Sequence, residues 1–438
     1  MVARLQTILR IPTVSLSDET AVDWDQFERF ISTLQTLYPR THTRLQRERI
    51  GGHSLLFRWP GRSESEPSVL MAHYDVVPAT DFGWKHPPFA GELSGKNEDQ
   101  VIWGRGALDN KGSLAAILEA VESQLEDGLV PAQDIFLVFG HNEETTGSGA
   151  SAICDALRER GIRPALVLDE GGAIVTDVFP GLAVPVAVVG VAEKGSAIVR
   201  LVVDQQGGHA STPPAITATV RLAMAIVRLN NRPFRGRLDD TAREMFRTIG
   251  VHATGMAGWA YRHIGLTRWA LVPILSRSSP ELRAMVRTTQ AVTGLDAGQA
   301  QNALAERATA TVNVRIAVGG TIEEVLERMV RVIRDESVRV ELVSADEASP
   351  VSPITGLSWE VLRSSIENTF PGTVVTPYVQ NGASDARHFT RISSAVYRFS
   401  AFTMTTEERE SLHARNEHIH VSSWLRGVDF YRALIAAL

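Results

Sequence analysis

The stretch SVLMAHYDVV (68–77) is an apolar run that closes on two polar side chains, His73 and Asp75. Two further runs share that form, DIFLVFG (134–140) and ALVLDEG (165–171). Each is bounded by Pro, Gly or charged residues and is short enough to be a buried strand. Helical periodicity fills the intervals, in WDQFERFISTLQTLY (24–38) and GSLAAILEAVESQLE (112–126). Strands alternating with amphipathic helices predict an α/β sheet covered on both faces.

From about residue 193 the pattern changes. An alternating strand, SAIVRLVVDQ (196–205), leads to a helix over 214–229 and a Pro- and Arg-rich stretch, NNRPFRGR (230–237). Strand ATATVNVRIAV (308–318), helix TIEEVLERMVRVIRD (321–335) and strand VRVELVSA (338–345) follow, with Thr321 and Glu324 spaced as a capping box. Two strand–helix–strand passes predict a small α+β domain over 193–345, inserted between the two parts (1–192 and 346–438) of the first. Helices over 356–369 and 422–438 return the chain to the α/β pattern.

The 438 residues suffice for two or three domains. Lys plus Arg number 44 against 50 Asp plus Glu, a net charge of -6, which gives no electrostatic reason to expect nucleic acid or an anionic membrane as partner. Cys154 is the single cysteine and excludes a disulfide framework or a thiolate zinc site. Its helical setting, ASAICDALRER (150–160), predicts a core residue. The opening MVARLQTILRIPTVS enters an amphipathic helix without a charged-then-apolar signal layout, and no apolar run spans a bilayer. The nearest candidate, 255–275, is interrupted by Arg262, His263 and Arg268. A cytoplasmic protein without a membrane partner is expected.

Five places put acids or imidazoles at the ends of these elements. In MAHYDVVP (71–78), His73 and Asp75 are two apart and face the same way on a strand, so the carboxylate can orient the ring for a metal. In WGRGALDNKGS (103–113), Asp109 follows a Gly-rich bend; the run lacks the spacing of either phosphate-binding glycine motif. GHNEETTGSGA (140–150) has paired acids after a buried strand, where one can hold a metal while its neighbour acts as a base. LVLDEGG (166–172) has acids at another strand exit, and LHARNEHIHVSSW (412–424) offers His413, His418 and His420 without distinguishing among them. Read singly, each could be a structural pair or a solvated loop. Together they gather hard carboxylates and imidazoles at the carboxyl ends of one sheet, which suits zinc, cobalt or manganese.

In this order the motifs resemble the aminoacylase, carboxypeptidase S and succinyl-diaminopimelate desuccinylase family of dizinc metallopeptidases. The likeness is nearest to the carboxypeptidase S and N-fatty-acyl-amino-acid hydrolase branch, on LVLDEGG and AMVRTTQAVTGLDAG (284–298). The resemblance implies a zinc-exopeptidase-like α/β catalytic domain, a mixed sheet flanked by helices, with an inserted α+β lid and dimerisation domain. It implies two zinc ions, with cobalt or manganese as substitutes, held by His73, Asp109, Glu144, Asp169 and His413. Asp109 would bridge them, with a cis peptide to Asn110. Asp75 would orient His73, and Glu143 would be the general base. His209 in GGHASTPP (207–214) would stabilise the oxyanion, often from the partner subunit of a homodimer. Asn302, Arg315 and Arg387 would bind the carboxylate of a small peptide or N-acyl amino acid. Two departures are Asn142, where the family often has Asp, and Asn302-Ala303-Leu304-Ala305, where it has Asn-Val-Ile-Pro.

The expected activity is hydrolysis of an amide bond next to a free carboxylate. A dipeptidase or desuccinylase is the alternative within the family, and a non-catalytic binding protein on the same scaffold is the alternative outside it.

Overall fold

The computed structural model describes residues 1–438 except 81, 177 and 299. The strands are, in chain order, β1 (Gln46–Ile50), β2 (Ser54–Trp59), β3 (Ser63–His73), β4 (Glu92–Ser94), β5 (Val101–Trp103), β6 (Gln133–Gly140), β7 (Leu166–Val175) and β8 (Val186–Glu193). Then come β9 (Gly195–Asp204), β10 (Thr289–Ala297), β11 (Arg307–Ile316), β12 (Arg339–Asp346), β13 (Val374–Gln380), β14 (Val396–Thr403) and β15 (His418–His420).

The large sheet runs β1-β2-β6-β3-β7-β14-β8-β13 and is mixed. Its centre, β6-β3-β7-β14, is parallel, while β1 and β2 add an antiparallel edge. Strand alternation explains why both faces are covered. On β7, Leu166 and Leu168 enter one apolar core while Val167 enters the other. Helices Lys111–Glu126 and Val421–Ala437 pack on the first face, with the indole of Trp424 donating to Gly112 O at 3.0 Å. Helix Ser148–Glu159 covers the second and buries Cys154, as expected from its helical setting.

A second sheet, β10-β11-β9-β12, is antiparallel throughout. Ala197, Val199, Leu201 and Val203 alternate along β9 into its own core, which helices Ala218–Asn231 and Ile322–Ile333 close. The capping box at Thr321 and Glu324 is formed.

Residues 193–345 do not share this one core. Helices Asp240–His252, Gly255–Arg262, Ile264–Leu275 and Pro280–Met285 send Met245, Phe246, Ile249, Tyr261, Ile264 and Leu282 into the core of the large sheet instead. The later part of the stretch between β9 and β10, from helix Asp240–His252 onward, thus returns to the first body, and the buried apolar stripe of that helix meets β13.

The two sheets join where β8 runs into β9. There Arg398 and Glu193 form a fully buried ion pair, 2.5 Å apart, and Ser384 Oγ donates to the same carboxylate at 2.8 Å. The returning chain lies alongside, with Ser349 N donating to Glu193 O at 3.1 Å.

Candidate metal centre and active site

Parallel strands β3, β6 and β7 are neighbours, so their carboxyl ends bring three of the motifs to one place. His73 closes β3 and is buried. Its Nδ1 lies 3.0 Å from Asp75 O and 3.3 Å from Asp75 Oδ1, which leaves Nε2 facing outward from the strand end. Asp75 also accepts from Ser15 Oγ at 2.7 Å, from Glu143 N at 3.1 Å and from Glu144 N at 3.2 Å. One buried carboxylate therefore orients the imidazole and anchors the loop bearing the paired acids.

Two groups of potential metal ligands result, His73–Asp109–Glu170 and Asp109–Glu144–His413. His73 Nε2 is 3.0 Å from Asp109 Oδ1 and 3.3 Å from Glu170 Oε1. His413 Nε2 is 3.0 Å from Asp109 Oδ2 and 3.0 Å from Glu144 Oε2. Asp109 thus gives one oxygen to each group, and its peptide bond to Asn110 is cis. Of the three histidines near the last helix, only His413 enters. His418 stacks on Trp103, and His420 Nδ1 pairs with Glu408 Oε1 at 2.8 Å.

One expected ligand is displaced. Asp169 turns away and accepts from Ala386 N at 2.8 Å, while its neighbour Glu170 takes the corner beside His73. The cause is the two-residue period of β7: Asp169 shares the face of Val167, against Ala386, and Glu170 lies on the face of Leu166 and Leu168.

The electrostatics of this cluster suit cations. Burial raises the Glu143 carboxyl well above its usual range, and Glu170 and Asp385 add to it against the pull of His73. Burial pushes Glu170 up to about 8 despite His73 nearby. His413 is pushed up to about 10 by its hydrogen bonds to Asp109 and Glu144. Asp109 is lowered because the two imidazoles outweigh its burial. A divalent cation among these carboxylates would neutralise them, and binding it would displace any proton carried by the imidazoles. Glu144 Oε1 is buried with no hydrogen-bond partner among the described residues, a free donor for an ion. The residues fit a two-cation site of imidazole and carboxylate donors.

A cleft of about 440 Å³ opens from Asp109, Glu143, Glu144, Glu170 and His413. Its far wall is apolar, with Val175, Val178, Phe179, Val188, Leu282, Met285 and Met404, and Arg409 and Glu281 lie on its lining.

The remaining expected residues lie outside that lining. His209 is exposed, and its Nδ1 accepts from Ser211 N at 3.1 Å. Asn302 is brought beside it by the backbone, since Ala210 N donates to Asn302 O at 3.0 Å. Arg315, on β11, is held below the usual guanidinium range by burial and then by Arg387, while Glu193 and Glu143 oppose that shift. Arg387 lies 4.0 Å from Asp346 and borders a second cavity with Glu193 and Lys194. Arg387 lies near enough to Arg315 to disfavour its charge, and the cavity that Arg387 borders also carries Asp346 and Glu347.

Sequence reading missed Asp385. It is buried, and burial followed by repulsion from Asp169 raises its carboxyl well above normal. Its two oxygens sit where a Cβ on Gly140 or Gly147 would fall, at 2.5 Å and 2.7 Å. Glycine is needed there because the acid packs against the backbone of the paired-acid loop. Nothing in the run NGASDARHF signals that approach.

The model of peptidase family M20/M25/M40 matches residues 69–437. "Probable carboxypeptidase S-like 2" of Dictyostelium discoideum is 35% identical, over 99% of this chain and 84% of its own. "N-fatty-acyl-amino acid synthase/hydrolase PM20D1" of Xenopus tropicalis is 36% identical, over 99% of this chain and 85% of its own. Among solved structures, the M20 family metallo-carboxypeptidase Sso-CP2 from Sulfolobus solfataricus superposes with a TM-score of 0.71 at 17% identity, covering 99% of this chain and 98% of that one. With the family model spanning most of the chain and relatives this similar over nearly all of it, the chain belongs to peptidase family M20/M25/M40, a family of metallopeptidases.

Proposed function

We propose that this chain hydrolyses the amide bond of N-acyl amino acids whose acyl group is apolar, next to the free carboxylate of the amino acid. The observation that carries the reading is Asp109. Its two oxygens reach His73 and His413, each at 3.0 Å, as the shared ligand of a two-cation site must, beside an apolar cleft that also holds Glu143. Names of relatives lend support, since they include N-fatty-acyl-amino acid hydrolases and carboxypeptidases of the S type.

His73, Asp109 and Glu170 would hold one cation, and Asp109, Glu144 and His413 the other. Zinc is the preferred ion, with cobalt or manganese as substitutes, and such ions supply Lewis acidity to a carbonyl and acidify water. Glu143 takes the proton of the attacking water and delivers it to the departing nitrogen. A carboxyl raised by burial suits both halves of that task. Asp75 keeps His73 and the Glu143 loop in register. Arg315 and Arg387 offer guanidinium groups to the substrate carboxylate, and Asn302 adds its amide from beside His209 on the lid. His209 stabilises the oxyanion, supplied by the partner subunit of a homodimer formed through the lid.

The test is a hydrolysis screen over N-acyl amino acids of rising chain length and over dipeptides, with and without a chelator. Rates should rise with acyl length and vanish with the chelator. Preference for dipeptides would replace this reading with the dipeptidase one. Glu143→Gln should keep fold and metal content while turnover falls roughly 10²–10⁴-fold; near-normal turnover would remove Glu143 from the role of base.

A further inference from the structure

The consecutive helices Gly255–Arg262 and Ile264–Leu275 present large apolar side chains to solvent. Met256 is 89% exposed, Trp269 78% and Leu266 71%, and Trp259 and Ile274 are more than half exposed. Leu266, Trp269 and Pro273 recur at helical spacing on one face. The same segment is one-signed. Between Met245 and Pro280 there is no aspartate or glutamate, while Arg247, Arg262, Arg268 and Arg277 fall within it. Arg262 turns inward to Gly250 O and Ala253 O, and Arg268 and Arg277 stay at the surface. The net charge of -6 that argued against an anionic surface therefore does not describe this part of the molecule.

We infer that this helix pair docks the protein on an anionic lipid bilayer, with Met256, Trp259, Leu266 and Trp269 entering the headgroup boundary and Arg268 and Arg277 meeting phosphates. Three considerations select lipid. Side chains this exposed protrude without walls around them, so a protein partner would have to supply a matching groove, whereas a lipid layer opens around any shape. A second copy meeting the patch across a two-fold axis would set arginines against arginines, with no acid between Met245 and Pro280 to pair them. Tryptophan and arginine together are the residues that favour the membrane interface.

The helix pair is tied to the walls of the cleft at both of its ends. Helix Pro280–Met285, directly after it, contributes Leu282 and Met285 to the cleft lining, and Thr254 N at its start donates to Gly181 O at 2.8 Å, beside the turn that carries Phe179. If substrates carry apolar acyl groups, as proposed above, docking sets the cleft at the phase where they dissolve. The docking itself does not depend on that reading.

The experiment is co-sedimentation of the full chain with vesicles of equal phosphatidylglycerol and phosphatidylcholine, against phosphatidylcholine alone. Binding should require the anionic lipid and weaken with salt. Leu266→Ser with Trp269→Ser should lower partitioning by at least about tenfold, and Arg268→Glu with Arg277→Glu by at least roughly fivefold for each arginine. Hydrolysis of a soluble N-acetyl amino acid, followed in parallel, should be unchanged, because none of these four lines the cleft. That readout reports on the catalytic reading separately from the vesicles. Equal sedimentation with both vesicle types, or none, overturns the inference. So does light scattering that shows the serine variant converting a dimer to a monomer, which would mean that a second copy covers the patch.

Discussion

Glu417 and Arg105 form a buried ion pair, Oε2 to Nη1 at 2.6 Å, between loops 312 residues apart in the chain. The other oxygen of Glu417 accepts from the backbone N–H of Gly106, Leu108 and Asp109 at 3.1, 2.9 and 3.1 Å. Arg105 Nη2 donates to Ala414 O at 2.9 Å, next to His413. The pair thus fastens together the loop of the shared carboxylate and the loop of the last imidazole. Glu417→Gln should weaken metal affinity roughly 10–100-fold, the usual cost of disturbing the support of metal ligands, with activity returning at high metal. Glu417→Ala should in addition cost about 3–5 kcal/mol of stability, because Arg105 is left buried and unpaired. Competition against a chromophoric chelator measures the first effect and thermal unfolding the second. Wild-type affinity in the Gln variant would show that the latch does not position the ligands.

The displacement of Asp169 by Glu170 makes a second prediction. Glu170→Gln should reduce bound metal from two ions to one per chain, measured by elemental analysis, and abolish turnover. Asp169→Asn should retain both ions, because its carboxylate is engaged with Ala386 N at 2.8 Å and not with the cluster. Loss of an ion in the Asp169 variant alone would restore the original assignment.

These two residues also mark the limit of what the chain reveals before folding. Strand ends were legible because buried β3, β6 and β7 read as apolar runs closing on His73, the paired acids and Asp169-Glu170. The i, i+2 spacing of His73 and Asp75 already implied a shared direction. Choosing between adjacent acids needs the phase of β7, and an apolar run buried on both faces does not encode phase. Asp385 was invisible for another reason, since its place in the cluster depends on Gly140 and Gly147 approaching from far along the chain. The 238–286 helices read as part of the lid because chain order suggested it, and only packing against the large sheet moved them.

A third prediction concerns acid stability. His141 is buried against Trp24 and Phe27, with Nδ1 2.7 Å from Ser54 Oγ, and burial pushes its pKa down to about 4 although Asp75 opposes the shift. The unfolded chain takes up this proton near 6.5, and the folded chain does not until about 4. In that window the unfolded state binds more protons, so stability falls as pH drops from 6.5 towards 4, by about 3 kcal/mol at most for this one site. His141→Gln, which keeps a polar partner for Ser54, should lose less melting temperature between pH 7 and pH 4.5 than the wild type does. Metal-ligand protonation is common to both proteins and cancels in that comparison. Parallel losses would mean that His141 is not a source of the acid sensitivity.

The last prediction turns on the distance between His209 and the chemistry. The ring is exposed, tied to Ser211, and absent from the cleft lining, so a role in oxyanion stabilisation requires movement or a second chain. Movement would have to occur at the paired connections 193–195 and 346–349, which pack closely, since a Cβ on Gly195 would lie 2.7 Å from Ala348 N. A second chain would bring His209 of the partner subunit over the cleft without any hinge. His209→Ala should lower turnover roughly 10²–10³-fold, the cost of one oxyanion donor, while leaving both metals bound. Mixing that variant with Glu143→Gln protein then separates the routes. In a dimer that exchanges the residue, one of the two clefts in a mixed pair has both an intact Glu143 and an intact donor, and activity should reappear as subunits exchange. If no activity returns although light scattering shows mixed dimers, His209 serves its own cleft, and closure about the 193–195 connection is the motion to measure.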